Sequence, residues 1–333
     1  MKKIINEPGR FVDEMIEGIL LAHPELLKTP GDDPRIMVRA DAPVTGKVGI
    51  VTGGGSGHLP LFKGYVGVGL CSGVAIGNVF SSPSSQQVFE ATKAVDGGVG
   101  VLYLYGNYGG DVFNFDLAAD LSELEDIETL TVVGRDDVAS QPKERKADRR
   151  GVAGIVFAYK AAGAAAERGD SLAEVAAIAE DVIEHTATMG IGLSPTILPT
   201  TAKPSFDLPD GEMEVGIGIH GEPGFHRGPL ETADKIADRL VAALVQDLEI
   251  VAGDRVAVLV NGMGATPLEE LYVLYRRVHQ ILAGLGVEVS KNYVGEYATS
   301  LEMAGASISL LKLDDARLSL LRAPASSPFF REA

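Results

Sequence analysis

A single cysteine, Cys71, stands in a chain of 333 residues, so no disulfide can form within it, and the composition fits a reducing compartment. Basic residues are also short. Lys and Arg number 29 against 46 Asp and Glu, a formal charge of −17. That balance argues against nucleic acid and against an anionic membrane surface as partners. It also means that any anionic substrate must be held by local donors. No apolar run is long enough to cross a bilayer. The N-terminus has two lysines but meets Asn6, Glu7 and Pro8 before any long apolar stretch, so it does not read as a signal peptide. A soluble cytoplasmic protein is expected. Metal-site patterns are missing too: no two histidines lie at short spacing, and Cys71 has no partner. There is no repeat, heptad or low-complexity block.

What is present is apolar residues, 46% of the chain, and 40 glycines, which point to many tight strand-to-helix turns. Strands running into glycine loops are expected at 48–58 and 99–111, further strands at 72–80 and 130–134, and Ala-rich helices at 151–169 and 171–190. Ser171 with Glu174 three residues on gives the second helix a capping box. This alternation predicts an α/β domain with a mostly parallel sheet. Four prolines in 193–214 break the periodicity. We therefore divide the chain into an N-terminal α/β domain, 1–190, with helices on both faces of its sheet, and a smaller C-terminal α/β domain, 191–333. The latter should hold a strand at 213–219, helices at 229–248 and 266–286, and strands at 255–264, 287–295 and 306–313. The last residues, "APASSPFFREA", read as an extension.

Three glycine-rich loops follow strands, and each carries one titratable group: "TGGGSGH" ends in His58, "GNYGGD" in Asp111, and "GIHGEPG" centres on His220. In open α/β sheets the crevice at the strand C-termini is the usual ligand site, and two histidines with an aspartate suit nucleophilic or general-base chemistry. Each loop also has a plainer reading. "GGGSGH" could bind phosphate, yet it lacks the Lys-Ser/Thr of a P-loop and is not G-x-G-x-x-G followed by a ribose-binding acid. Ser56 does not sit in a G-x-S-x-G elbow. Asp111 could simply cap the next helix. A lone histidine after a strand is more often structural than catalytic.

Together, "TGGGSGH", "GNYGGD", "GIHGEPG", "VNGMGATPLEELY" and "SLEMAGASISLLKLDD" resemble, in order and over nearly the whole chain, the substrate-binding (K) subunit of dihydroxyacetone kinases. The resemblance implies that an imidazole nitrogen of His220 adds to the ketone of a short ketose, dihydroxyacetone or a tetrulose such as erythrulose, to give a covalent hemiaminal. Such an anchor distinguishes a ketone from glycerol. It implies that His58 and Asp111 contact the substrate and act in proton transfer, and that Gly55, Ser56 and Gly57 line the pocket with their backbone.

Two departures stand out. Leu59 replaces an acid usual in the family. Gly106 replaces a substrate-contacting lysine, which removes a charged contact and opens space beside the pocket unless Tyr108 or Lys63 reaches into it. The family's nucleotide domain, a helical barrel with clustered aspartates for Mg2+ and ATP or ADP, has no counterpart in this sequence. The resemblance therefore implies a homodimeric kinase subunit that binds no cofactor itself. Its partner would be a nucleotide-binding subunit, recharged either by exchangeable ATP or by a phosphotransferase relay protein. The competing expectation is a non-catalytic ketose-binding paralogue that signals through a transcription regulator. A fatty-acid-binding protein of distantly similar fold has no use for "HGEPG".

Overall fold

The computed structural model describes residues 2–333. After helix α1 (Phe11–Ala22) come strands β1 (Leu27–Lys28), β2 (Ile36–Arg39), β3 (Gly49–Ser56), β4 (Gly73–Val79), β5 (Val101–Gly106) and β6 (Thr129–Gly134). They form one sheet in the order β1-β2-β4-β3-β5-β6. β4, β3, β5 and β6 run parallel to one another, while β1–β2 and β2–β4 pair antiparallel. All eight residues of β3 are buried, as befits a central parallel strand covered on both faces. Helices α2 (Ser85–Val95) and α3 (Gly109–Glu123) pack on one face through Val88, Phe89 and Phe115, and α4 (Ile155–Arg168) and α5 (Leu172–Glu184) cover the other.

The second sheet comprises β7 (Thr186–Ser194), β8 (Glu212–Val215), β9 (His226–Pro229), β10 (Arg255–Gly262), β11 (Glu288–Gly295) and β12 (Ala304–Leu313), in the order β11-β10-β12-β7-β8-β9. Only the β10–β11 pair is parallel. Helices α6 (Ala233–Asp247) and α7 (Leu268–Gly284) bury Leu240, Leu244, Leu274 and Val278 on its outer face. Its inner face, through Ala257, Leu259 and Leu311, shares a core with α4 and with α8 (Asp315–Arg322). The molecule is thus an α/β fold of five layers, with α4 in the middle. Every residue from Ile155 to Ala166 is buried. A helix that is apolar all round is a buried helix, and its alanines and glycine keep it slim enough to sit between two sheets.

The α/β architecture read from the sequence is the one observed, and the capping box of α5 is formed, with Ser171 and Glu174 bonding reciprocally. Four local expectations change. The helix placed over 171–190 stops at Glu184. From Thr186 the chain is strand β7, paired antiparallel to β12, so residue 190 lies inside a strand of the second sheet. The strand placed over 213–219 stops at Val215, because Gly216 turns to φ 81° with Ala139 and Phe225 packed against it. Residues 315–322, left unassigned, form α8. The C-terminal residues are not a loose extension. Strands β13 (Ala325–Ser326) and β14 (Arg331–Glu332) form a hairpin that buries Phe330 in the first core, and Ser327 donates to the Gly64 carbonyl at 2.6 Å.

A fully buried arginine joins the two halves. Arg149, 1% exposed, donates from both terminal nitrogens to Asp247 on α6, at 2.7 and 2.9 Å, and from Nε to the Gln141 carbonyl. Removing one member of a buried pair strands the other charge. Asp247→Ala is expected to destabilise the fold by about 3–5 kcal/mol, read as a lowered denaturation midpoint. A change below about 1 kcal/mol, the size of an exposed pair, would mean that water reaches Arg149.

Candidate active site

The C-terminal ends of β3, β4, β5 and β6 open onto one crevice, and the chain leaves β3 to opposite sides of the sheet through β4 and β5, which makes a topological switch point. His58 follows β3, Phe80 follows β4, Tyr108 and Asp111 follow β5, and Arg150 follows β6. The second half contributes the loop after β8, with His220, and the loop after β11, with Thr299. The structure brings the three expected groups together. The rings of His58 and His220 lie edge to face with centroids 4.7 Å apart, and Asp111 lies close enough to His220 to respond to its charge.

His58 is completely buried, and its Nδ1 donates to the Thr299 carbonyl at 2.7 Å, which leaves Nε2 as the lone-pair nitrogen. Nε2 has no hydrogen-bond partner in the protein. Burial, reinforced by the neighbouring His220, holds this imidazole well below its ordinary pKa, so it is a neutral acceptor. Phe80 stacks on it at 4.9 Å and Phe62 meets it edge-on at 6.2 Å. Phe62, Phe80 and Leu301, whose N–H donates to the Gly57 carbonyl at 2.6 Å, all adopt left-handed backbone, with φ of 65°, 55° and 50°. Such non-glycine residues cost about 1–3 kcal/mol each and cluster at functional sites.

His220 is about a quarter exposed. Its Nδ1 meets Glu222 Oε1 at 2.8 Å, and its backbone N–H donates to Glu222 Oε2 at 3.0 Å. Among the described residues no protein atom hydrogen-bonds its Nε2. The glycines of "GIGIHGEPG" now have reasons. A Cβ on Gly218 would overlap the Glu222 carboxylate, and one on Gly224 would overlap the Val215 carbonyl. Gly221 turns at φ 86° with Phe206 against it. The loop is glycine-rich so that a carboxylate and a guanidinium can close beneath the histidine.

Asp111 lies in the first turn of α3 but does not cap it; Tyr108 holds the N-cap position and no side chain bonds there. Burial pushes the Asp111 carboxyl up to about 6, with Ser82 and His220 drawing it partly back, and Oδ1 has no hydrogen-bond partner in the protein. His58 Nε2, Asp111 Oδ1 and His220 Nε2 are therefore three polar atoms on loops at this end of the sheet that the fold itself leaves without partners. That is the composition of a site that receives hydroxyls and a carbonyl.

The Dak1 domain model matches residues 17–329. This chain belongs to the Dak1 family. The dihydroxyacetone-binding subunit DhaK of PTS-dependent dihydroxyacetone kinase 1 from Listeria innocua is 46% identical over 98% of this chain and 99% of its own length. The L-erythrulose kinase of Pectobacterium atrosepticum is 42% identical over the whole of this chain, which spans 56% of that protein. Among solved structures, the dihydroxyacetone kinase operon co-activator Dha-DhaQ superposes with a TM-score of 0.88 at 33% identity, over 97% of this chain and 98% of its own. The resemblance read from the five motifs is thus the family relationship.

Within this Dak1 chain the "GGGSG" segment is not an open phosphate cradle. A Cβ on Gly54 would overlap the Phe62 ring, and one on Gly57 would come within 2.7 Å of Phe80. Its glycines let aromatic walls press on the strand that carries His58. Ser56 is buried and donates to the Gly77 carbonyl at 2.9 Å, so its hydroxyl is already bonded. Beside Gly106 the nearest side chain is Tyr108, one of the two residues expected to reach toward that space. A Cβ there would stand 3.2–3.3 Å from the Tyr108 ring, which itself meets His220 at 4.8 Å. Among the described residues no three His, Cys, Asp or Glu side chains group as a metal site, and no helix is long and apolar enough to cross a membrane.

Sequence reasoning passed over Glu222 and Phe80, whereas Tyr108, named there as a residue that could reach beside Gly106, does stand there. Glu222 had a signal: an acid two residues after the candidate histidine, in a loop too poor in side chains to place it elsewhere. Phe80 had none, since its contact with His58 depends on the parallel pairing of β3 with β4. A base works only as its carboxylate, so kcat/KM is expected to fall with decreasing pH through about 6, the position to which burial moves Asp111. A plateau that persists to about pH 4, the ordinary aspartate range, would show that this carboxyl is not required.

Proposed function

We propose that this chain is the ketose-binding, catalytic subunit of a small-ketose kinase. Nε2 of His220 adds to the ketone carbon and holds the ketose as a hemiaminal, while Asp111 or His58 accepts the proton of the terminal hydroxyl as it attacks the phosphoryl group. The observation that carries this reading is the presence of His220 Nε2 at the same end of the sheet as the partnerless His58 Nε2 and Asp111 Oδ1. Imidazole with a free lone pair is a competent nucleophile near neutral pH. A hydroxyl attacking phosphorus needs a positioned acceptor. Backbone from Gly55 to Gly57 and the Gly106–Tyr108 wall bound the space around the ketose. Two relatives, one named for dihydroxyacetone and one for L-erythrulose, support a three- or four-carbon ketose. Both remain inside the proposal.

The nucleotide and its Mg2+ belong to a second polypeptide in this reading, with a cytoplasmic homodimer as the working form. A Listeria relative named as a PTS-dependent binding subunit, matched along its full length, supports recharging by a phosphotransferase relay. The test is kcat/KM for dihydroxyacetone, both erythruloses and glycerol with a nucleotide-binding subunit supplied, together with calorimetry of Mg-ATP against this chain alone. Turnover of at least one ketose, none of glycerol, and no Mg-ATP binding are expected. Tight Mg-ATP binding to the chain alone would contradict the division of labour.

The structural likeness to Dha-DhaQ favours a second reading, a ketose-responsive co-activator. A co-activator needs the anchor but no base, and here both candidate bases are in place. Ketose capture with no turnover in the presence of a nucleotide-binding subunit would select that reading.

A further inference from the structure

Glu222 bonds to His220 twice, at Nδ1 and at the backbone N–H, and its Oε2 lies 3.9 Å from Nη1 of Arg150. Arg150 is itself held by Asp137, through Nε at 2.9 Å and Nη2 at 2.8 Å, and by the Gly216 carbonyl at 3.3 Å. A carboxylate is thus locked under one nitrogen of the imidazole while the other nitrogen faces the crevice. Gly218 is the position that admits it, since any side chain there would displace both the carboxylate and the guanidinium.

We propose that Glu222 is the positioning residue that lets the covalent ketose adduct persist, by pairing with the positive charge that the imidazole ring acquires on bonding. The inference rests on the hemiaminal reading above. The electron count requires such a partner. The Nε2 lone pair becomes the N–C bond, and the carbonyl π pair moves to oxygen, which takes a proton from solvent. The ring keeps its Nδ1 proton and carries one positive charge. Without a facing anion that charge, in a site walled by Phe80 and Tyr108, would favour reversal and loss of the ketose. Although burial works against ionisation, the hydrogen bond from His220, the positive charge on that ring and, more weakly, Arg150 hold Glu222 down to about 2, so it is an anion near neutral pH. The same bond fixes the tautomer that presents Nε2.

The test uses the full chain, dihydroxyacetone labelled with 13C at the carbonyl carbon, and a nucleotide-binding subunit for turnover. Glu222→Gln keeps an acceptor for Nδ1–H but removes the charge; Glu222→Asp keeps the charge on a shorter arm. In the unaltered protein the labelled carbon should move from the ketone region to that of a tetrahedral carbon. Glu222→Gln is expected to weaken capture by about tenfold to a hundredfold, the usual effect of losing a carboxylate behind a working histidine. KM should rise by more than kcat falls, and Glu222→Asp should recover part of the loss. A tetrahedral signal of equal intensity and equal KM in Glu222→Gln would overturn the role of Glu222 while leaving the hemiaminal intact. No tetrahedral signal in the unaltered protein would overturn the hemiaminal reading and this inference with it.

Discussion

Asp111→Asn is expected to lower phosphoryl transfer by about 10²–10⁴-fold, the usual cost of losing a positioned base, while ketose capture stays close to normal. Asparagine is nearly isosteric with aspartate but cannot take a proton. Asp111 sits in the first turn of α3, 5% exposed, with one carboxylate oxygen that no protein group satisfies. In the proposed reading that oxygen takes the proton of the terminal hydroxyl, while Nε2 of His220 holds the ketone. The measurement is kcat with the partner subunit beside the capture signal of the labelled ketose. Near-normal kcat would move the base role to His58, whose neutral Nε2 is the other free acceptor in the site.

His220→Ala is expected to abolish ketose retention and to lower kcat/KM by about 10³-fold or more, about 4 kcal/mol of transition-state binding. Of the two histidines, His220 is the more accessible: it is about a quarter exposed, whereas His58 is wholly buried. The variant should fold, because His220 stands in a turn, partly exposed, with side-chain bonding only to Glu222. An unchanged thermal midpoint with lost capture is the expected pair of results. A variant that retains labelled ketose would place the anchor on another residue.

Much of this arrangement could be read from the residues. Alternation of short apolar runs with Ala-rich helices announced the α/β fold, and the Ser171–Glu174 pair marked a helix start that the structure keeps. The three glycine loops were legible because a titratable side chain among glycines has little structural excuse. Other features depended on distant partners. β7 was hidden because α5 runs straight into it: the helix ends at Glu184 and the strand begins at Thr186, with no proline or glycine between. β7 is a strand because β12, more than a hundred residues on, pairs with it. The Ala-rich helix read at 151–169 is α4, but the second sheet that covers it could not be seen locally. At the site, the absence of a side chain at Gly106 left open whether Tyr108 or Lys63 would reach toward it, and packing puts the Tyr108 ring there. Sequence shows which side chain is missing; only packing shows what stands in its place.

The central claim is that His220 binds a ketose covalently through Nε2, and a crystal structure of this chain soaked in dihydroxyacetone tests it most directly. The account predicts continuous density from the ketone carbon to His220 Nε2, a tetrahedral carbon, and Glu222 still bonded to Nδ1. A fully occupied ketose lying beside His220 with a planar carbonyl and no bond to the ring would contradict it.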